Sequence, residues 1–464
     1  MSENNKLFAE EKIGKLLLRI SLPIIMAFLV SELYNMVDTI FVGRNVGAQG
    51  IGALVLVFPI QRILLALSVM IAVGTSTAFA RANGQNDVEQ SRKVVNNGFS
   101  LSCLLMISIT VIVYFFSEKI LLLLGASPQI LPYAQEYLSI IIFGATFLSL
   151  TVFISDIMVS FGNNKVALIS TSIGALINIF LDYIFVVHWE MGIKGAAIAT
   201  TISQIIGFLY AYYHYVKVKE VYKIPSGLTF NKQVVLPIIL VGLSAFVMES
   251  DDGILMGVQN HLLFDAVGDN GIIVLGVVSK VYMFLFITMF GMASAMQPIA
   301  AYNVGAKNYK RLQSVIKKTS MYAFITSVLL WIIAMVFAPQ LMAIFVEDAA
   351  IIRESVTAFR IMIAVFPVVS IYYVAIFYLQ AMGKAKASIW MSVLKQLMIM
   401  LPLAIILVKV FQLGAVGVWL SYPLSDIVAS LSAYMLLREE EHKLNSKVKS
   451  QTKSARRRLV EVYQ

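Results

Sequence analysis

Four polar residues interrupt long apolar stretches of this 464-residue chain: Asp38, Asn178, Asp182 and Thr200. Asn178 and Asp182 are four apart, so a helix places them on one face. Tyr34 and Asn35 precede Asp38 by four and three residues, which puts all three on one side of a helix. A carboxylate inside a bilayer is costly unless it is paired, hydrated or protonated, which makes each one a candidate for function. Oxygen ligands alone suit a hard cation such as Na⁺, held by Asp38, Asn178 and Asp182. Equally, desolvation favours the neutral carboxyl, so a buried aspartate can carry a proton. The residue types leave H⁺ and Na⁺ open, and the plain alternative is a polar network that merely joins helices.

Other charges sit in or beside apolar runs. Glu32 lies six residues before Asp38, on a different helix face, and is a candidate for a substrate cleft. Glu136 begins the fourth apolar run, as an interfacial residue would, and Asp156 falls near its end, where a helix-terminal contact is the cheaper explanation. Glu249, Asp251 and Asp252 crowd the seventh run, with Glu249 and Asp252 on one face; ionised together in a dry site they would repel, so a proton, water or a basic partner is needed. Lys280 and Lys395 are the basic candidates, and Asp426 is a weaker acid of the same kind.

The elements that must position these residues follow from composition. Hydrophobic residues make up 59% of the chain and charged residues 13%, a balance that cannot furnish the surface of a water-soluble domain. Runs long enough to cross a hydrocarbon core, about 20 residues each, recur throughout. They read as 16–42, 52–80, 95–115, 131–158, 163–188, 193–216, 234–258, 271–301, 316–337, 357–381, 386–410 and 415–437, an all-α membrane protein of twelve helices. Strict alternation, the mark of a membrane barrel, is absent from runs such as Leu101 to Phe116. Lys and Arg in the connections divide 27 to 5 between the two sides, which predicts cytoplasmic termini and a multi-pass protein of the cell membrane. The net charge of +10 is thereby topology, and the basic tail reads as facing solvent and lipid headgroups, with no nucleic-acid partner.

The chain also aligns with itself. Pro23, Asp38 and Gly43 match Pro237, Asp252 and Gly257 at one constant offset; Gly84 answers Gly305, Gly162 answers Gly383, and Gly192-Ile193-Lys194-Gly195 answers Gly414-Ala415-Val416-Gly417. Two six-helix halves in the same orientation form a parallel repeat, a known transporter plan with a cleft between lobes. The expected domains are 1–220, 221–440 and a basic cytoplasmic tail, 441–464.

The segments Tyr34-Asn35-Met36-Val37-Asp38-Thr39-Ile40-Phe41-Val42-Gly43-Arg44, Gly74-Thr75-Ser76, Gly84-Gln85-Asn86-Asp87, Gly174 to Asp182 and Gly192 to Thr200 carry a resemblance to a known family. Together they resemble the multidrug and toxic compound extrusion (MATE) family of cation antiporters, over nearly the whole chain to about Arg438. The likeness is to the bacterial branch lacking the acidic pair of the second lobe. The resemblance implies that Asp38, Asn178, Asp182 and Thr200 form the cation site of the N-terminal lobe. No residue of the second lobe matches the acidic pair of the other branch.

The expected function is secondary active antiport: H⁺ or Na⁺ enters at Asp38 and Asp182 while a hydrophobic, often cationic, small molecule leaves by alternating access. Tyr34, Asn35, Glu32, Glu249, Asp252, Lys280 and Lys395 are the cleft or substrate candidates. No phosphate-binding glycine loop, zinc spacing or nucleophile motif is present, so neither an enzyme nor a cofactor beyond the coupling ion is expected. A monomer in the bilayer, with substrate and cation as partners, is the simplest arrangement. A lipid-linked glycan flippase of the same broader superfamily is the alternative, and a membrane scaffold or receptor without flux a third.

Overall fold

The computed structural model describes residues 3–463, and side chains at 7–47, 49–250 and 255–451. Asp251 and Asp252 therefore lie outside the described residues, as does the end of the basic tail. A short helix α1 (Glu3–Glu10) precedes α2 (Ile13–Asn45), α3 (Ala48–Gly84), α4 (Val88–Leu123), α5 (Leu131–Ser160), α6 (Lys165–Asp182) and α7 (Gly192–Val221). Then come α8 (Lys232–Val267), α9 (Asp269–Gly305), α10 (Tyr309–Val336), α11 (Ala338–Ala343), α12 (Ala349–Met362) and α13 (Phe366–Ala381). The last are α14 (Ala385–Val393), α15 (Leu401–Ile405) and α16 (Ala415–Tyr463). Among the described residues there is no strand. Among the described residues, eleven helices are long and apolar enough to span a bilayer, twelve when α12 and α13, bent by 52°, count as one span. The bend has a local cause: Pro367 occupies the first turn of α13, where its missing N–H costs nothing but the preceding helix cannot continue. The tail differs from expectation by extending α16 as one helix to Tyr463.

The internal repeat reappears as geometry. Helices α3 and α9 both contain 37 residues, and their ends lie 221 residues apart. The turns repeat as well. Left-handed backbone occurs at Asn86 (φ 58°) and its counterpart Lys307 (53°), at Gly162 (83°) and Gly383 (71°), at Glu190 (52°) and Gln412 (55°), and at Gly192 (60°) and Gly414 (55°). Asn86, Lys307, Gly162 and Gly383 follow helix C-termini, where a left-handed residue satisfies terminal carbonyls, while Gly192 and Gly414 stand where the next helix begins.

Two compact units make up the chain. The N-terminal unit comprises Arg19–Phe79 and Val88–Gly253; the C-terminal unit comprises Met1–Leu18, Ala80–Asp87 and Ile254–Gln464. The segment after residue 220 packs with the N-terminal unit for identifiable reasons. Arg92 Nε donates to the Tyr222 carbonyl at 2.6 Å, and Asn96 Nδ2 to Thr229 Oγ1 at 2.9 Å. The Thr229 N–H donates to Ser100 Oγ at 3.1 Å and the Asn231 N–H to Asn97 Oδ1 at 2.6 Å. One face of α4 thus holds the connection between the halves. Beyond it, α8 meets α3 backbone to backbone: a Cβ on Gly74 would lie 2.0 Å from the Ile238 carbonyl oxygen, and one on Gly242 1.9 Å from that of Met70. Only glycine permits that approach, a small-residue contact of the kind that joins membrane helices. A buried apolar cluster of Met70, Phe79, Phe153, Phe161, Tyr215 and Ile238 packs around it.

Gly74→Leu should lower the Tm of the detergent-solubilised protein by the equivalent of at least the ~1–3 kcal/mol typical of overpacking. Gly276→Ala, where nothing lies within 4 Å of an added Cβ, should leave it near the parent value. Equal Tm values for the two variants would show that the α3–α8 approach is not tight.

Candidate functional site

In the N-terminal unit, α2 delivers Asp38, α6 delivers Asn178 and Asp182, and α7 delivers Thr200, all four buried. The helical spacing of four does what the sequence requires, setting Asn178 one turn below Asp182 on the same face of α6. Asn178 Nδ2 donates to Thr200 Oγ1 at 3.2 Å, which ties α6 to α7. The Asn178 amide oxygen, by contrast, is buried and has no donor among the described residues. The Asp38 and Asp182 carboxyls face each other across α2 and α6 at hydrogen-bonding range. Neither carboxylate brings a donor, however, so that contact is a hydrogen bond only when one of them holds a proton. Otherwise Asp38 Oδ1 and both Asp182 oxygens are buried without a donor among the described residues.

Such an arrangement is strongly disfavoured unless a positive charge joins it. Two carboxylates in a low-dielectric interior repel, and a buried acceptor without a donor forfeits its hydration. A proton shared between the aspartates relieves both penalties. So does a small cation taking Asp38, Asp182 and Asn178 oxygens as ligands, since hard cations prefer all-oxygen surroundings. Immediately after Asp182 the helix widens to π geometry over Tyr183–His188. Such widened turns recur at functional sites because they re-aim a side chain and free a carbonyl.

The surroundings contain Tyr34, a candidate from the sequence, and Gln204, Tyr137 and Gln61, which the sequence reading did not single out. Tyr34 lies within electrostatic reach of Asp38, Asp182 and Glu32 and has Gln204 of α7 as a polar neighbour. Tyr137 of α5 is buried, close to both aspartates and to Tyr34, with Gln61 of α3 as a polar neighbour. Gln204 was legible, because it follows Thr200 by four residues and shares its helix face. Gln61 is a polar residue in an apolar run, a weaker signal, and Tyr137 gave none beyond its position in a span.

The remaining candidates fall into separate places. Asn35 is exposed, although three residues from Asp38, and its backbone carbonyl accepts from the Thr39 hydroxyl at 2.8 Å. Glu32 is half-buried beside Tyr34. Asp156 and Glu249, both half-buried, are electrostatic neighbours across α5 and α8. Lys280 is exposed. Lys395, considered from sequence as a partner for the acids of the seventh run, instead forms a buried ion pair with Asp426 in the C-terminal unit.

Known proteins bear on this arrangement. A family model, MatE, matches twice, at residues 23–184 and 255–406, once for each half of the internal repeat. The chain belongs to the MatE family. Among its relatives, the multidrug export protein MepA of Staphylococcus saprophyticus is 24% identical over 436 residues, covering 93% of this chain and 94% of that one. A crystallised MATE protein in complex with MaD3S superposes with a TM-score of 0.90 at 24% identity, covering 96% of this chain and 100% of that chain. A multidrug resistance MATE family transporter of the MOP superfamily, in an outward-facing conformation, gives a TM-score of 0.88 at 25% identity over 96% of this chain and 99% of the other. The fold is therefore that of a MATE transporter, and the MatE chain is a multi-pass membrane protein.

If like-charge repulsion governs this site, Asp38→Asn and Asp182→Asn should each raise the Tm of purified protein at alkaline pH without Na⁺. The gain should be on the order of 1–4 kcal/mol, as when buried charge is replaced by a neutral isostere. It should shrink as acid or Na⁺ supplies the missing charge. A fall in Tm for both variants under those conditions would mean that the carboxylates are already neutralised by the protein.

Proposed function

We propose that this protein is a cation-coupled antiporter that exports hydrophobic or cationic small molecules through the cell membrane by alternating access, with both termini cytoplasmic. The observation that carries the reading is the set of buried oxygens on Asp38, Asp182 and Asn178 that have no hydrogen-bond donor among the described residues. Either H⁺ or Na⁺ satisfies them. When the cation binds, the repulsion between α2 and α6 disappears and the helices can close on each other; when it leaves, they separate again. A ligand shifts a conformational equilibrium only by its differential affinity for the two states, and this site supplies that difference. Substrate export then takes its energy from the cation gradient through the same helices.

The class of substrate is supported by the relatives, which include multidrug export proteins. Broad, hydrophobic, cationic substrates also suit a chain with 28 Phe, 20 Tyr and 22 Met, whose side chains offer adaptable and cation-attracting surface. The flippase alternative calls for a cationic recognition surface, and the buried Lys395 is already neutralised by Asp426.

In proteoliposomes with an imposed pH or Na⁺ gradient, wild-type protein should drive a fluorescent lipophilic cation outward. Asp38→Asn should abolish that flux while leaving membrane insertion and folding intact. Undiminished gradient-driven efflux by the variant would refute the assignment of Asp38, and translocation of a lipid-linked glycan without cation efflux would favour the flippase.

A further inference from the structure

The C-terminal unit contains a charge that the proposed cycle does not use. Lys395 Nζ lies 2.8 Å from Asp426 Oδ1, and both residues are almost wholly buried. Around them stand Tyr282 of α9, Tyr372 and Tyr373 of α13, and Tyr422 of α16. The ammonium lies 5.0 Å from the Tyr372 ring and 5.3 Å from the Tyr373 ring, near their electron-rich faces. Tyr422 in turn donates its hydroxyl to Gln259 Oε1 of α8 at 2.9 Å. Burying a lysine and an aspartate in a membrane interior is costly, and a better-packed apolar pair would serve as mere scaffolding.

The internal repeat shows what the pair replaces. The offset of 222 that aligns Gly192 with Gly414 puts Asp426 opposite Gln204 and Tyr422 opposite Thr200. The offset of 221 that aligns α3 with α9 puts Tyr282 opposite Gln61, and Lys395 opposite Gly174. Thr200, Gln204 and Gln61 belong to the polar network around Asp38 and Asp182, so both units build polar groups at matching places. The difference lies in charge. The N-terminal unit has buried carboxylates and, at Gly174, no side chain to neutralise them; the C-terminal unit has a buried carboxylate and an ammonium carried on its own helix. Lys395 sits in a π-widened segment, Leu394–Met400, as Asp182 directly precedes one.

We propose that Lys395 is a tethered substitute for the coupling cation: the C-terminal unit carries its positive charge as a fixed side chain and exchanges none. The proposal rests on the reading of Asp38 and Asp182 as the exchanging site. It implies that removing the ammonium while keeping Asp426 converts the C-terminal unit into a second site that must draw H⁺ or Na⁺ from solution.

The test uses full-length purified protein in which Asp38→Asn and Asp182→Asn have silenced the first site, and reads Tm against pH and against Na⁺. Adding Lys395→Met should create a new dependence, with Tm rising as pH falls or as Na⁺ increases. Adding Asp426→Asn as well should abolish it. If the Lys395→Met protein is recovered only in acid or in Na⁺, that is the same dependence in a stronger form and supports the proposal. A Tm that responds to neither cation overturns it. So does failure to recover both Lys395→Met and Lys395→Met/Asp426→Asn at any pH or Na⁺ concentration, because the pair is then scaffolding. The underlying reading fails separately, when silencing Asp38 and Asp182 leaves the cation response of the wild-type Tm unchanged.

Discussion

A buried negative charge must meet a positive one, and in the N-terminal unit the protein does not supply it. Asp38, Asp182 and Asn178 converge from two helices with oxygens that lack donors among the described residues. In water such a cluster would be harmless; between membrane helices, on the proposed reading, the packing of α2 against α6 depends on a small cation. Everything that surrounds it serves to hold the cluster in place without satisfying it. Thr200 accepts from the Asn178 amide nitrogen, and the amide oxygen keeps no donor among the described residues. Tyr34 and Tyr137 have Gln204 and Gln61 as polar neighbours.

The same constraint is met differently elsewhere in the chain. Asp426 is answered by Lys395 on a neighbouring segment, and Glu440 of α16 by Lys384. Those carboxylates carry their counter-charge with them and need nothing from solution. The contrast is why the proposed exchange site is placed at the aspartate pair.

Much of this was written in the sequence because membrane helices obey a strict code. Length and hydropathy delimited the spans, and the repeat was visible partly because some of its matching residues, such as Gly162 and Gly383, are turn positions in left-handed backbone. Asp38, Asn178 and Asp182 stood out because charge and amide groups are rare in apolar runs, and their spacing announced a shared face. Three things were not legible. The bend between α12 and α13 depends on how Pro367 is used, and proline in a span is as often accommodated as obeyed. The exposure of Asn35 depends on the rotation of α2, which spacing alone does not fix. The partner of Lys395 is 31 residues away on another helix, a choice that only packing makes.

Infrared difference spectroscopy of the purified protein tests the central claim most directly. Spectra taken on acidification, and on adding Na⁺ at alkaline pH, should show a carboxyl signal that changes with at least one of these cations. That signal should vanish when Asp38 and Asp182 are both replaced by asparagine. Spectra in which no carboxyl band of these two residues responds to either cation would contradict the account.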